Sequence, residues 1–230
     1  MGDAARSVRD VEGLLRMLDE IFPPPQPFWD CFYEDRDRGV PFFAAKPDEN
    51  LVSYVEELLQ PGRALDLGCG PGRNAIYLAS RGFDVDAIDL SATAIAWARE
   101  RAPEIRFHRG DAFTADLAGP YDLIHDSGFF HHLPPHRRVS YVDLVERLLV
   151  RGGHLAMTCF AAGAENSGTE LPDAELYRDR SLRGGLAYTP DELRAIFSGL
   201  APVEIRPMRA QAPWSPLFGE GFLHAALFRR

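Results

Sequence analysis

The sequence RALDLGCGPGRN occupies residues 63–74 and carries the strongest signal in the chain. Its first half is apolar and reads as a short buried strand, followed by a turn with glycine at positions 68, 70 and 72. Glycine is needed where a chain turns sharply or where a ligand touches bare backbone. A helix is predicted directly afterwards, over residues 74–80, and its free N–H groups favour an anionic ligand group.

This glycine pattern differs from the two common nucleotide-binding loops. The dinucleotide fingerprint G-x-G-x-x-G needs a third glycine where Arg73 stands, and the Gly-Lys-Ser/Thr of a P-loop does not follow. What remains is Asp66-x-Gly68-x-Gly70-x-Gly72. An acid at a strand end suits a ligand with a free ammonium group. An NAD(P)-dependent oxidoreductase is therefore disfavoured, but it stays open as an alternative.

Length and composition favour one globular domain, residues 51–230, behind an N-terminal extension, residues 1–50. A net charge of −9 argues against nucleic-acid binding, because affinity for phosphates comes from clustered Lys and Arg. Three scattered cysteines suggest neither a disulfide framework nor a CxxC metal site. The chain shows no apolar leader and no stretch of about 18 apolar residues, so we expect a cytoplasmic protein that does not enter membranes.

A second acid ends the next predicted strand, residues 83–89. Asp89 lies 17 positions after Gly72. In nucleotide-binding βαβ units, an acid about 20 residues past the glycine loop binds the ribose hydroxyls. Adenosyl ribose presents the same diol, so Asp89, with its neighbour Leu90, is predicted to contact the ribose. Ser91 then caps a helix over residues 92–101.

From about Leu51 onward, the acidic glycine motif and the order of predicted elements resemble the class I S-adenosylmethionine-dependent methyltransferases. Gly72-Arg73-Asn74 is most similar to the small-molecule branch that contains tellurite-resistance and thiopurine methyltransferases. The resemblance implies a Rossmann-like α/β fold with a seven-stranded, mostly parallel sheet, helices on both faces and an antiparallel last strand. It implies S-adenosyl-L-methionine as cofactor and S-adenosyl-L-homocysteine as product. The loop, including Cys69, would hold the cofactor, and Arg73 would reach its carboxylate.

Two more acids are predicted at the carboxyl ends of strands, where ligands of open α/β sheets bind. By the resemblance, Asp111 after the third strand accepts a hydrogen bond from the adenine amino group, with Ala112 as its packing neighbour. Asp126 ends the fourth strand and is followed by Ser127. Its position lets the carboxylate or the backbone of Asp126 meet the methionine ammonium of the cofactor.

Histidines follow this fourth strand. A histidine whose pKa is near neutral accepts a proton from an attacking hydroxyl, thiol or amine, so His131 is the first candidate for a catalytic base and His132 the second. A purely structural role stays an alternative for both. Metal binding is disfavoured and no metal is predicted, because Pro134-Pro135 prevent a regular i,i+4 histidine pair and no HExxH motif occurs.

Acceptor contacts are predicted in three regions. By the resemblance, Tyr33, Phe42 and Phe43 lie in a lid before the first strand and wall the pocket, although they suit a core equally well. The long polar segment over residues 161–188 contains Arg180, which can receive an anion or pair with surface acids. Trp214 lies in the last long connection, at the same predicted edge.

The remaining segments read as ordinary elements of such a domain. Residues 8–22 form an amphipathic helix that caps the core, covers the site or pairs with another subunit, so a homodimer stays open. Helices are also predicted over residues 48–60, 136–150 and 189–198, and a glycine pair, Gly152-Gly153, is expected directly before the fifth strand.

The predicted function is methyl transfer to a small-molecule acceptor with an O, S or N nucleophile, by direct displacement at a sulfonium. The protein then supplies mainly alignment and exclusion of water. Besides the oxidoreductase, a protein that binds S-adenosylmethionine without catalysis stays open.

Overall fold

The structure, a computed structural model, describes residues 7–230. Residues 1–6, the beginning of the predicted N-terminal extension, lie outside the described residues. The described chain forms one seven-stranded sheet. Its strands are Arg63–Leu67 (β1), Asp84–Asp89 (β2), Arg106–Arg109 (β3), Tyr121–Ser127 (β4), Leu149–Phe160 (β5), Ala201–Pro207 (β6) and Leu223–Arg229 (β7).

The strand order is β3-β2-β1-β4-β5-β7-β6. The first five strands pair in parallel, whereas β7 is antiparallel to both β5 and β6. The predicted Rossmann-like sheet with an antiparallel last strand is therefore confirmed. Because parallel strands point the same way, their carboxyl ends meet at one edge, which we call the carboxyl edge (residues 67–70, 89–91, 109–111, 126–132 and 160).

Helices cover both faces of the sheet, as predicted. They are Val11–Asp19 (α1), Pro25–Glu34 (α2), Glu49–Glu57 (α3), Arg73–Ser80 (α4), Ala92–Arg101 (α5), Arg137–Leu148 (α6), Asp173–Asp179 (α7) and Pro190–Ile196 (α8). Two short 3₁₀ turns lie at Pro41–Phe43 and Phe130–His132. Within residues 7–230, every helix is too short or too polar to cross a membrane.

The side chains of β1 alternate between two cores. Leu65 and Leu67 pack into the core formed with α6 and α8, whereas Ala64 packs into the core formed with α3, α4 and α5. Successive side chains of a strand point to opposite faces. Because of this alternation, the side chain of Asp66 points to the same face of the sheet as Ala64, toward α3 and α4.

The N-terminal segment packs over the carboxyl edge. The Ser91 hydroxyl donates to Asp30 of α2 at 2.8 Å, and the ring of Trp29 contacts His132 with centroids 4.9 Å apart. α1 is attached through Asp19, whose carboxylate lies 2.5 Å from the guanidinium of Arg137 on α6. The predicted first helix thus forms, although it is shorter than residues 8–22.

Three element boundaries differ from the sequence predictions. The proline run after α1 begins α2, because Pro25 occupies the first turn, where its missing N–H breaks no helical hydrogen bond. The predicted loop over residues 161–188 contains α7 and is tied down by the bridges Ala161–Tyr188 and Thr169–Leu186. Gly152-Gly153 lies inside β5, since pairing with β4 already starts at Leu149 and the register then shifts.

Candidate active site

The glycine loop between β1 and α4 adopts left-handed backbone angles, with φ of +64°, +52° and +80° at Gly68, Gly70 and Gly72. A Cβ at Gly72 would lie 2.8 Å from the ring of Phe107, and one at Gly68 would lie 2.7 Å from Cβ of Phe129. Both the angles and the close approaches require glycine. The loop therefore presents bare backbone at the carboxyl edge, as the sequence predicted.

Asp89 lies against this loop at the end of β2. Its Oδ2 accepts a hydrogen bond from the backbone N–H of Gly70 at 2.9 Å, and its Oδ1 accepts one from the N–H of Ser91 at 2.8 Å. Burial raises the pKa of Asp89 to about 6, and the two N–H donors only partly oppose this shift. Ser91 caps α5 by accepting from Ala94 N–H, so capping is not the function of Asp89.

Asp66 is buried beside the loop, and only one of its two carboxylate oxygens has a hydrogen-bond partner in the described protein. Its Oδ1 lies 2.8 Å from Nδ1 of His125 on the neighbouring strand. Its Oδ2 is buried without a hydrogen-bond partner in the described protein. A buried carboxylate oxygen without a partner is costly, and a cationic ligand group at this position would relieve that cost.

Arg73 begins α4 and lies across the same space with 8% of its surface exposed. Its guanidinium pairs with Asp48, donates to the Lys46 carbonyl at 3.0 Å and donates to Ser127 Oγ at 2.8 Å. It also stacks on the ring of Phe218, 4.3 Å from the centroid. Arg73 thus joins the N-terminal segment to the end of β4, with its positive charge at the pocket.

A small cavity separates these groups. It encloses about 40 Å³, whereas pockets for small ligands have roughly 300–1,000 Å³. The side chains of Tyr33 and Phe42 line it on the side of the N-terminal segment. The cavity is lined by Tyr33, Phe42, Asp66, Gly68, Cys69, Gly70, Pro71, Arg73, Asn74 and Ser127.

The residues around the cavity fit S-adenosylmethionine. An unpartnered acidic oxygen at Asp66 suits an ammonium group, and the Arg73 guanidinium suits a carboxylate. Asp89 presents a carboxylate next to bare backbone at the end of the second strand, where a ribose diol is bound in related βαβ units.

The carboxylate of Asp126 does not reach this cavity, which corrects one of the two alternatives for that residue. It accepts hydrogen bonds from the N–H groups of Phe129 and Phe130 and from the Tyr141 hydroxyl, at 2.8, 3.0 and 2.8 Å. Asp126 pairs in register with Leu67, so it points to the α6 face, away from Asp66. Its side chain organises the turn after β4, and only its backbone stays available for the predicted contact.

The predicted adenine region lies beside the end of β2. Asp111 is exposed and its Oδ1 accepts from the N–H of Phe113 at 2.9 Å, while Ala112 is buried in the core. The N–H of Gly110 donates to the Asp89 carbonyl at 3.0 Å, which holds this turn against the second strand. Leu90 is half-buried in the same region. The adenine contact itself stays a prediction.

The geometry of His131 argues against the predicted role of base. Its Nδ1 accepts a hydrogen bond from the N–H of Phe160 at 3.2 Å, and its ring stacks on Phe160 with centroids 3.9 Å apart. Burial holds the pKa of His131 well below its usual value. The ring is therefore neutral with its proton on Nε2, which makes it a hydrogen-bond donor in this arrangement.

His132 forms part of the contact with the N-terminal segment. Its ring lies edge-on to Trp29, and burial lowers the pKa of His132 to about 4. It is therefore neutral at physiological pH. Of the two histidines, His132 is the more exposed. Its contact with the acceptor stays a prediction.

The predicted acceptor residues divide into two groups. Tyr33 and Phe42 line the cavity, and Phe43 packs behind them against Trp97 with ring centroids 5.3 Å apart. Arg180 is exposed at the end of α7. Trp214 is 87% exposed. Neither of the last two lines the cavity, because folding of residues 161–188 and 208–220 onto the sheet directs both side chains to solvent.

Several residues of the site were missed by the sequence analysis. Asp48 and His125 are fully buried and contact Arg73 and Asp66, and Asn74 donates to Asp48 at 3.2 Å. His125 gave one usable signal, since a titratable residue inside an apolar strand needs a buried partner. Within residues 7–230, no group of three or more metal-binding side chains is arranged to hold a metal ion.

Comparisons with known proteins agree with this geometry. A family profile described as a methyltransferase domain matches residues 64–153. The chain is 28% identical over 130 residues to the 2-heptyl-1-hydroxyquinolin-4(1H)-one methyltransferase of Mycobacteroides abscessus, which covers 54% of this chain and 57% of that protein. It is 34% identical over 117 residues to the trans-aconitate 2-methyltransferase of Rhizobium meliloti, which covers 49% of this chain and 43% of that protein.

A solved structure is similar over nearly the whole chain. It comes from work on the conversion of a disulfide bond into a thioacetal group during echinomycin biosynthesis, and it covers 90% of this chain and 92% of that chain, with a TM-score of 0.68 and 25% identity. The chain spans about half the length of the curated relatives it matches. Residues 64–153 thus match a methyltransferase domain, and the seven-stranded sheet has the α/β Rossmann-like fold that the resemblance to class I S-adenosylmethionine-dependent methyltransferases implies.

Proposed function

We propose that the protein transfers a methyl group from S-adenosyl-L-methionine to a small-molecule acceptor and releases S-adenosyl-L-homocysteine. The observation that carries this proposal is the buried, unpartnered Oδ2 of Asp66 next to the Arg73 guanidinium in one cavity. Together they form the complement of an amino acid's ammonium and carboxylate. Asp89 lies where the ribose of the same ligand would follow.

The lid role of the N-terminal segment is part of this proposal. The cavity that Tyr33 and Phe42 line has only about 40 Å³, so we expect residues 25–43 to move away from the glycine loop when the cofactor enters. A Cβ at Gly70 would lie 3.0 Å from the Tyr33 hydroxyl, which shows how closely the lid approaches the loop. When the lid closes over the bound cofactor, the same aromatic side chains exclude water from the reaction.

The bound cofactor supplies an activated methyl group on a sulfonium. The residues of this chain align the acceptor and keep water out, which are large contributions to such a displacement. His131 carries its proton on Nε2 and His132 is neutral, so His131 donates a hydrogen bond to the acceptor and His132 contacts it with its ring. We therefore propose an acceptor that is nucleophilic without help from a protein base, such as a thiolate or a nitrogen heterocycle.

The contacts around this site favour an acceptor of low charge. The rings of Trp29, His132, His131 and Phe160 contact one another in succession at the end of β4 and β5, two pairs edge to face and one pair stacked, and all four side chains are neutral. Arg180, the predicted anion contact, lies outside it. An aromatic or apolar acceptor suits such a wall better than a polycarboxylate does.

The test is formation of S-adenosyl-L-homocysteine from S-adenosyl-L-methionine with a panel of thiols, phenols and nitrogen heterocycles. We expect turnover whose pH dependence follows the pKa of the acceptor, because no histidine accepts its proton. A rate that instead follows an ionisation of the enzyme near neutral pH, and disappears in His131→Asn, would restore His131 as the base.

Calorimetric titration separates the alternatives. Binding of S-adenosyl-L-homocysteine without binding of NADH argues against an oxidoreductase, and binding without turnover on any acceptor favours a non-catalytic binding protein. A cytoplasmic location, a homodimer and the lack of a nucleic-acid partner stay predictions from the sequence.

A further inference from the structure

One histidine near the site is not among the residues that line the cavity, and it lies between two acids. His125 is on β4, in register with Asp66 of β1, and none of its side chain is exposed. Its Nδ1 lies 2.8 Å from Asp66 Oδ1, and its Nε2 lies 3.7 Å from Asp48 Oδ2. Since an ionised carboxylate only accepts hydrogen bonds, Nδ1 carries a proton in the short contact.

Among the protein's own groups, the charges around His125 balance only when its ring is protonated. Asp48 and Asp66 bring two buried negative charges, and Arg73 supplies one positive charge through its pair with Asp48. Burial acts to lower the pKa of His125, but the two carboxylates outweigh it and raise the pKa to about 9. Asp126, the next residue on β4, points to the opposite face of the sheet.

We propose that His125 is a positioning residue of the cofactor site: its Nδ1–H holds Asp66 with Oδ2 toward the pocket, and its Nε2 proton is released when the cofactor's ammonium binds beside Asp66. This inference rests on the proposed function. The ring also joins Asp66 to Asp48, the residue that anchors the N-terminal segment to Arg73. Cofactor binding and closure of that segment therefore share one titratable group.

The contacts of the two ring nitrogens of His125 indicate which of its two N–H protons is released. The Nδ1 proton is held by Asp66 at 2.8 Å, whereas Nε2 has no hydrogen-bond partner among the described residues. In the proposed site the ligand's carboxylate pairs with Arg73, and its ammonium lies next to Asp66, the residue that His125 contacts directly. This nearby positive charge disfavours the imidazolium, because like charges in a buried site repel strongly. The proton goes to solvent, and the neutral ring keeps its Nδ1–H bond to Asp66.

Two substitutions separate orientation from charge. His125→Asn places an amide N–H near the position of Nδ1 without a titratable charge, so affinity for S-adenosyl-L-homocysteine should stay within a few-fold of wild type. His125→Val leaves Asp66 Oδ1 without its donor, and affinity should fall about tenfold or more, as expected for loss of one hydrogen bond to a charged group. His154→Asn, in a half-buried histidine of β5 outside the site, is the matched control.

Proton release is measured by calorimetry at pH 8 in buffers of different ionisation enthalpy. Asp89, with a pKa of about 6, is already ionised at this pH, so its titration contributes little. We expect wild type and His154→Asn to release more protons on binding than His125→Asn does. Equal release by wild type and His125→Asn would overturn the titration of His125, and equal affinity of His125→Val and wild type would overturn its positioning role.

The result stays interpretable if a variant does not fold, because the wild-type measurement needs no substitution. No net proton release by wild type at pH 8 contradicts the inference directly. Absence of any binding of S-adenosyl-L-homocysteine to the wild type would instead contradict the proposed function, so the two failures are distinguishable.

Discussion

Asp89 and Gly70 are joined by a hydrogen bond of 2.9 Å from the Gly70 N–H to Asp89 Oδ2. This bond places an acid of β2 next to the glycine loop of β1. We expect Asp89→Ala to weaken binding of S-adenosyl-L-homocysteine by about 1–3 kcal/mol, the usual size of a hydrogen bond to a charged group. Calorimetric titration measures the change.

The control for that substitution is Asp84→Ala, at the opposite end of the same strand. Asp84 is exposed and pairs with Arg106 at 2.7 Å, away from the carboxyl edge. It should leave the affinity unchanged. Equal loss of affinity in both variants would mean that β2 is merely destabilised, and unchanged affinity in Asp89→Ala would remove its ribose role.

The pKa of Asp89 also predicts a pH dependence of binding. Burial raises this pKa to about 6, so the side chain becomes neutral as the pH falls through 6. A protonated carboxyl is a poorer acceptor for a ribose hydroxyl, and affinity should therefore decrease from pH 7 to pH 5. In Asp89→Asn, which cannot ionise, the decrease should be smaller. An identical pH profile for both proteins would assign the effect to another group.

Two glycines with the same backbone angle distinguish strain from steric contact. Gly72 has φ +80° and a Cβ there would lie 2.8 Å from Phe107, whereas Gly163 has φ +79° with nothing within 4 Å. Alanine at either position suffers left-handed strain of about 1–2 kcal/mol. Gly72→Ala should lose roughly 1–3 kcal/mol more, because it also overpacks the core. Urea unfolding gives both values, and equal losses would contradict the contact.

The attachment of α1 provides a further prediction. Asp19 lies 2.5 Å from the buried Arg137 and also 2.8 Å from Nε2 of His136. Asp19→Ala should cost roughly 1–3 kcal/mol of unfolding free energy, since it leaves a buried guanidinium with weaker partners. It should also speed hydrogen exchange in α1.

Asp191→Ala is the matched control for the loss of an ion pair. Asp191 pairs with Arg194 at 2.7 Å, but its side chain is 93% exposed, and exposed pairs contribute little to stability. Little change is expected in its unfolding curve. If Asp19→Ala behaved in the same way, the contact between α1 and α6 would carry no stabilising energy.

Local sequence pattern predicted the fold and the glycine loop at the carboxyl edge. Asp66, followed by alternating glycines at 68, 70 and 72, predicted the bend after β1. The strand predicted before Ser91 ends in Asp89, which lies next to this bend. Both depend on residues close together in the chain, whose geometry a strand–turn–helix unit largely determines.

Long-range partners could not be predicted in this way. Asp48 pairs with Arg73, and its two neighbours, Pro47 and Glu49, are hydrogen-bonded to Phe218 near the other end of the chain. The tautomer of His131 depends on the hydrogen bond from the Phe160 N–H to its Nδ1, and these two residues are 29 positions apart in the chain. Sequence periodicity specifies neither relationship.

Asp126 shows a prediction that strand geometry could have corrected. It is paired with Leu67, and His125 with Asp66, so adjacent residues of β4 face opposite cores. Because Asp126 directly follows His125 in a strand, parity alone indicates that the two side chains cannot both face the cavity. The register with β1 then decides that His125 is the one on the side of Asp66. The position of Asp126 at a strand end did not by itself specify the direction of its side chain.

The pairing of Pro47 with Phe218 also bears on synthesis of the protein. The Phe218 N–H donates to the Pro47 carbonyl at 2.8 Å, and the Glu49 N–H donates to the Phe218 carbonyl at 2.9 Å. During synthesis on the ribosome, the glycine loop is therefore completed long before Phe218, whose ring stacks on the Arg73 side chain. The contact between Arg73 and Phe218 therefore forms late in translation, and we expect chains that end before Phe218 to bind S-adenosyl-L-homocysteine more weakly than the full chain.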